Sequence, residues 1–531
     1  MSDYDVVVVG AGFAGLQLVH ECRKRGLSVH VFERASGVGG TWYWNRYPGA
    51  RCDVESMWYS YSFSPEIEQE WTWTEKCATQ SEILRYLEFV ADKLSLRDAI
   101  TLDTSVTDVV FDDTTALWSV ATDSGVTVTS RFVIMATGCL STGNMPDMPG
   151  VHTFHGGSYH TGSWPHDGVD FTGKKVAVIG TGSSGVQMIP LIAQDAEELV
   201  VFQRTPNFVV HARNAPLTPE FVTDIKSRYA SLRDESRWSN SGKPGRETLP
   251  SALDQSESER NARYEAQWEA GGAVITATYA DILTNQESND TLTEFLRKKI
   301  RKTVTDPETA ERLTPYGFPV GAKRVCVGTD YYETYNRDNV TLVDIRTDPI
   351  VAIDPEGIRT EKSKYDFDEI VFATGYDAMT GSLKRINIRG RNSVALKEQW
   401  ENGPKTYLGL AVNGFPNLFL VTGPGSPSVL SNVVTSIEQH VEFIVDHLVF
   451  LDASGFTVSE ANDDAQEAWV AHVNDIADST LFPKANSWYT GANVPGKPRV
   501  FMPYVAGVGN YRAICDKVVA AEYEGFTMTR P

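Results

Sequence analysis

Two glycine-centred stretches carry the most specific chemistry in the chain. Gly10, Gly12 and Gly15 follow the apolar run VVVV, and Glu33 stands 18 residues beyond the third glycine. Glycines at this spacing permit a tight turn, close approach of backbone to a pyrophosphate, and close helix-to-strand packing, while the helix that follows turns its positive N-terminus toward phosphate. A carboxylate in the place of Glu33 accepts hydrogen bonds from a ribose diol. The pattern returns in KKVAVIGTGSSG, where Gly180, Gly182 and Gly185 are each displaced by 170 positions from the first set. The position matching Glu33 is then Gln203, followed by Arg204 and Thr205. An acid would repel a 2′-phosphate there, whereas a neutral residue followed by a guanidinium and a hydroxyl recognises one. The first site therefore reads as one for an unphosphorylated dinucleotide and the second as one for NADP(H).

Each site needs a buried strand, a turn, an amphipathic helix and a second strand to hold it. Leu16, Val19 and Cys22 supply the apolar helix face in the first copy. An α/β fold with two such units is expected, and a chain of 531 residues exceeds what one core supports. The net charge of -21, with no basic run, argues against nucleic-acid partners and anionic lipid. No signal-peptide pattern follows Met1 and no 18-residue apolar run occurs, so a cytoplasmic protein with no membrane partner and no obligatory protein partner is expected. The six cysteines form no CxxC or CxxxxC pair. That argues against a zinc site, a redox-active disulfide and a flavin disulfide reductase, and no metal is expected.

Further motifs narrow the first cofactor. After Glu33 comes RASGVGGTWYW, whose second glycine turn at Gly39, Gly40 and Thr41 resembles the stretch beside the flavin in flavoproteins with two dinucleotide domains. FVIMATG and EIVFATGY resemble the strands by which such chains leave and re-enter the flavin domain. FAD in the first site and NADPH in the second follow from this likeness. Between the two glycine signatures, TFHGGSYHTGSWP places Phe154, Gly156, His160, Trp164 and Pro165 in the order FxGxxxHxxxWP. This resembles the fingerprint of the type I Baeyer–Villiger monooxygenases. The likeness extends through GGTWYWNRYPGARCDVES, GTGSSG, GAKR, GPGSPSVLSN and SWYTGANVPGKP, nearest to the phenylacetone and cyclohexanone monooxygenase branches. Flavin monooxygenases acting on amines or sulfur resemble FxGxxxH but lack the Trp-Pro pair.

The resemblance implies an FAD domain of residues 1–141 and 376–531 and an NADP domain of 142–375, including a helical insertion over 211–319. It implies that NADPH reduces FAD, that O2 is captured as a flavin C4a-peroxide anion, and that this anion converts a small-molecule ketone to an ester or lactone, sulfides being possible side substrates. Arg324, in GAKR, is the implied fixed cation; Asp53, in GARCD, approaches both it and FAD. A guanidinium suits the task because it does not lose its charge. FAD contacts are implied for Gly10, Gly12, Ala14, Gly15, Glu33, Gly40, Thr41, Trp42, Trp44, Tyr59, Val106 and Val433. NADP contacts are implied for Arg51, Thr181, Ser183, Ser184, Gln187, Arg324 and Trp488, together with Gly180, Gly182 and Gly185. Lys323 joins Arg204 and Thr205 at the 2′-phosphate. Val54, Leu140, Val429 and Leu430 are implied at the substrate pocket. His160 is read as a positioning and hinge residue where the chain passes between domains, not as the general base. The rival readings are an amine- or sulfide-oxidising flavin monooxygenase and a non-catalytic FAD/NADPH redox sensor.

Overall fold

Val6, Val7 and Val8 are inaccessible to solvent in the computed structural model, which describes residues 2–245 and 247–530. Burial on both faces is what a valine run requires in a parallel sheet covered on both sides. Strand Tyr4–Val9 pairs in parallel with Val29–Phe32 and with Thr127–Met135. Leu418–Leu420 joins in parallel beside Thr127–Met135, and the antiparallel strands Val106–Asp112 and Leu117–Thr122 widen this into a mixed eight-stranded sheet. Helix Phe13–Lys24 buries Leu16, Val19 and Cys22 against it. Gly10 has φ +107°, and a Cβ there would lie 2.6 Å from the carbonyl oxygen of Ala136. A Cβ on Gly15 would fall on the carbonyl oxygen of Gly10, so this glycine sets how closely helix and strand approach.

The second copy repeats the arrangement. Strands Val340–Asp344, Glu198–Gln203, Lys175–Ile179, Glu369–Phe372 and Gly157–His160 form an all-parallel five-stranded sheet in that order. Helix Ser183–Asp195 covers it, and Gly180 has φ +112°. The chain passes from one sheet toward the other near residue 142 and returns near 375, and these crossings run side by side. Asn144 N donates to Gly375 O at 2.8 Å and Asp377 N to Thr142 O at 2.9 Å.

The segment 211–319 is helical, as its charge pattern suggests, but it divides between cores. Helices Glu257–Ala270 and Gln286–Thr303 bury Tyr264, Trp268, Leu292 and Leu296 in a core of their own. Helices Pro219–Ser227 and Tyr229–Trp238 instead send Val222, Ile225 and Tyr229 into the core beneath the first sheet. Arg233 seals that contact, donating from Nε to Glu68 at 2.8 Å and from Nη2 to Ser60 Oγ at 2.7 Å. In the opposite sense Tyr47 and Ala50 lie in the core of the second unit, beside Val186 and Ile189. The two units thus clasp one another. Among the described residues, no helix is long and apolar enough to cross a membrane.

Candidate functional site

A cavity of about 1380 Å³ runs between the two glycine turns. At its first end Gly10, Gly12, Ala14 and Glu33 form one wall. The Glu33 carboxylate accepts from Ala11 N at 2.7 Å and Ala35 N at 2.9 Å, which braces the turn. Burial raises its pKa although these bonds oppose the shift. Gly40, Thr41, Trp42, Trp44, Tyr59, Val106 and Val433 continue the lining, and Trp42 Nε1 donates to the Tyr59 hydroxyl at 3.2 Å. Arg34 also lines this end, its guanidinium 4.6 Å from the centre of the Trp44 ring. Sequence reasoning passed over it, although the 170-residue displacement makes Arg34 the counterpart of Arg204.

At the second end Gly180, Thr181, Gly182, Ser183 and Ser184 present the N-terminus of helix Ser183–Asp195 to the cavity. Gly185 is absent from the wall because its task is packing: a Cβ there would fall on the carbonyl oxygen of Gly180. Gln203 turns inward, donating to Arg312 O at 2.9 Å, and leaves the cavity edge to Arg204, Thr205 and Lys323. Neither Arg204 nor Lys323 has a carboxylate partner among the described residues. Burial foremost, and the Arg204 charge after it, lower the Lys323 pKa. Two cations facing the same space without counter-charge are what a phosphate dianion needs. The glycines that leave no room for a Cβ, the buried carboxylate at one end and the unpaired cations at the other all fit a pair of dinucleotides, the second one phosphorylated.

Between the ends stand Arg324 and Asp53. Arg324 Nη2 donates to both carboxylate oxygens, at 2.8 and 2.7 Å, and Nη1 donates to Val429 O at 3.0 Å. The Asp53 charge raises the guanidinium pKa, outweighing burial. Tyr489 is a neighbour that the sequence did not single out: it is 2% exposed, and burial pushes its hydroxyl up to about 12 beside Arg324. Val54, Cys139, Leu140, Val429 and Trp488 complete the wall. Burial pushes the Cys139 and Cys326 thiols up to about 11, which keeps both neutral at physiological pH. Leu430 departs from expectation. It lies outside the cavity wall and packs on the apolar cluster of Tyr489, Phe501 and Met502, where burying its side chain is favourable.

Two further expectations change in detail. Arg51 lines the cavity while pairing with Glu75 at 3.2 Å, and Gln187, which lines it too, also directs both ends of its amide to residues 47–51. None of the five fingerprint residues lines the cavity. His160 Nδ1 accepts from Gly162 N at 3.0 Å, and the ring stands edge-on to Tyr376. A Cβ on Gly143 would lie 2.7 Å from the His160 ring, so the imidazole is wedged between the outgoing and returning crossings. Burial lowers its pKa, favouring the neutral ring. Trp164 is buried between Tyr159 and Phe171, Phe154 packs beside Ile353 and Phe367, and Gly156 has no space for a side chain against Asp368 O. Pro165 opens the turn that Gly168 N closes at 3.2 Å.

A profile described as pyridine nucleotide-disulphide oxidoreductase matches residues 7–237. A Baeyer-Villiger monooxygenase of Pseudooceanicola batsensis is 43% identical over 99% of this chain and 96% of that protein. Among solved structures, an oxidized steroid monooxygenase bound to NADP is 52% identical, with TM-score 0.95 over 99% of this chain and all of the other. The crystal structure of the OTEMO complex with FAD and NADP is 42% identical, with TM-score 0.96 and full coverage of both chains. With a fold shared end to end and both nucleotide ends built around one arginine–aspartate pair, the chain belongs to the type I Baeyer–Villiger monooxygenases.

Proposed function

We propose that this protein converts an uncharged ketone to an ester or lactone, consuming NADPH and O2 and releasing NADP+ and water, with FAD at the first nucleotide end and NADPH at the second. The observation that carries the reading is the bidentate Arg324–Asp53 pair at the junction of the two ends of one cavity. On this reading residues 1–141 and 376–531 hold FAD and residues 142–375 hold NADPH. Bound flavin supplies two-electron exchange with the nicotinamide and the reaction with O2.

The chain supplies the rest. Glu33 and the N-terminus of helix Phe13–Lys24 hold ribose and pyrophosphate at the first end; Arg204, Thr205 and Lys323 hold the 2′-phosphate at the second. Oxygen transfer to a carbonyl needs an anion, and an anion in a partly dry cavity needs a cation that stays charged. Arg324 meets that need. Asp53 orients the guanidinium and balances its charge in the resting arrangement. Val54, Leu140, Val429 and the neutral Cys139 offer no charge to a substrate, which favours an uncharged ketone. His160, away from the cavity, acts through the crossings.

Arg324→Ala tests the reading. A unit charge pair about 4 Å apart at an effective dielectric near 20 is worth about 4 kcal/mol, or roughly a thousandfold in rate. Flavin reduction by NADPH should survive while ester formation falls by about that factor. Normal ester yield from Arg324→Ala would overturn the role of the arginine. A wild-type protein that oxidises amines or sulfides but no ketone in a broad panel would overturn the reaction itself.

A further inference from the structure

We infer that Gln187 is a positioning residue through which occupancy of the second nucleotide site sets the geometry of the Asp53–Arg324 pair; the inference rests on the placement of NADPH given above. Gln187 sits one turn into helix Ser183–Asp195, whose first residues face the cavity. Its Oε1 accepts from the Tyr47 hydroxyl at 2.9 Å and its Nε2 donates to Arg51 O at 3.1 Å. Both ends of one amide are therefore committed to a single short segment.

That segment is where the chain changes core. Tyr47 and Ala50 belong to the core of the second unit, whereas Cys52 and Met57 belong to that of the first. Arg51 is the link between them, and its carbonyl is the atom that Gln187 holds. Asp53, two residues on, grips Arg324 with both oxygens. The segment also lies hard against the helix: Gly49 has φ +79°, and a Cβ on it would lie 2.6 Å from Gln187 O and 2.9 Å from Leu191 Cδ1. A displacement of the helix start therefore reaches residue 49 through backbone packing and residue 51 through the Gln187 amide, the one side chain between them. Glutamine suits the post because it offers one acceptor and one donor. Glutamate would lose the donor to Arg51, and leucine would lose both bonds.

The test compares wild type, Gln187→Leu and Tyr47→Phe as FAD-loaded full-length proteins. Hydrogen exchange is followed by mass spectrometry with and without NADP+. In wild type, NADP+ should slow exchange in residues 180–186 and also in 47–55. Gln187→Leu should keep the first protection and lose the second, and Tyr47→Phe should lose part of it. In turnover with a ketone, the ratio of hydrogen peroxide to ester should rise about fivefold in Gln187→Leu, the scale of two neutral hydrogen bonds at the weak end of their range. Undiminished protection of 47–55 in Gln187→Leu overturns the link. So does a large loss of NADP+ affinity with an unchanged peroxide ratio, which would make Gln187 a direct ligand. Absence of protection at 180–186 in wild type would refute the nucleotide placement itself. Should Gln187→Leu not fold, a Tyr47→Phe protein with full protection of 47–55 would refute the link alone.

Discussion

Removing either cation at the second end should change which nicotinamide cofactor the protein prefers. A hydrogen bond to a charged group is worth about 1.5–3 kcal/mol, so each cation should carry about 10- to 150-fold of the NADPH-over-NADH ratio in kcat/KM. Arg204 is exposed and Lys323 is half-buried, so salt and water screen the first more than the second. Lys323→Ala should fall near the upper figure, and Arg204→Ala near the lower. The pH dependence follows from the charge balance. Lys323 must be protonated to pair with phosphate, and its pKa is depressed by burial and by Arg204. The 2′-phosphate, with a second pKa near about 6, stays a dianion above neutrality. Selectivity for NADPH should therefore decline as pH rises through the depressed lysine pKa. Arg204→Ala removes one of the two causes and should move that decline to higher pH; Lys323→Ala should abolish it. The assay is anaerobic stopped-flow reduction of the flavin by each nucleotide across the alkaline range. A parallel loss of both rates, with their ratio unchanged, would refute recognition of the 2′-phosphate by these residues.

Two more outcomes follow from the architecture. Gly10→Ala places a Cβ against Ala136 O at a backbone angle of φ +107°, so the purified protein should carry far less flavin, read from the ratio of 450 to 280 nm absorbance; full occupancy would refute the need for glycine. Arg233→Met leaves Glu68 buried without its partner, and denaturant titration of the flavin-loaded protein should show a loss of about 3–5 kcal/mol, partly restored when Glu68→Gln is added; an unchanged midpoint would mean that the clasp contributes nothing.

What the sequence revealed and what it withheld have separate physical causes. The nucleotide turns were legible because their chemistry is local: Gly10 and Gly180 need positive φ, Gly15 and Gly185 need close packing, and Glu33 lies one strand away. The centre of the cavity was legible only through resemblance. Asp53 and Arg324 are 271 positions apart, and nothing in GARCD or GAKR alone says that they meet. The clasp was not legible at all. Arg233 lies in the charged run YASLRDESRW, which reads as a solvated face, yet its guanidinium is buried because the helix packs on Trp58 and Glu68. Gln187 borders the cavity, as the resemblance implies, but its bonds to the hydroxyl of Tyr47 and the carbonyl of Arg51 are brought about by tertiary packing and could not be read from GTGSSG.

The clasp explains why the central ion pair can be held bidentate in a cavity that must still open to large cofactors. Arg324 stands two residues from Cys326, which lies in the second core, and its other donor is spent on Val429 O, next to the apolar cluster of Tyr489 and Phe501. Asp53 follows Cys52 of the first core. The pair therefore spans the seam, so motion that carries Asp53 away from Arg324 must break it. Two partly buried charges separated without replacement partners cost several kcal/mol. The seam consequently resists opening unless another anion takes up the guanidinium, and the anion formed in oxygen transfer is of the right charge to do so. On the proposed function, an anion in the cavity would compete with Asp53 for the guanidinium, so the contact that holds the resting protein together would also oppose release of its cation until such a charge is present.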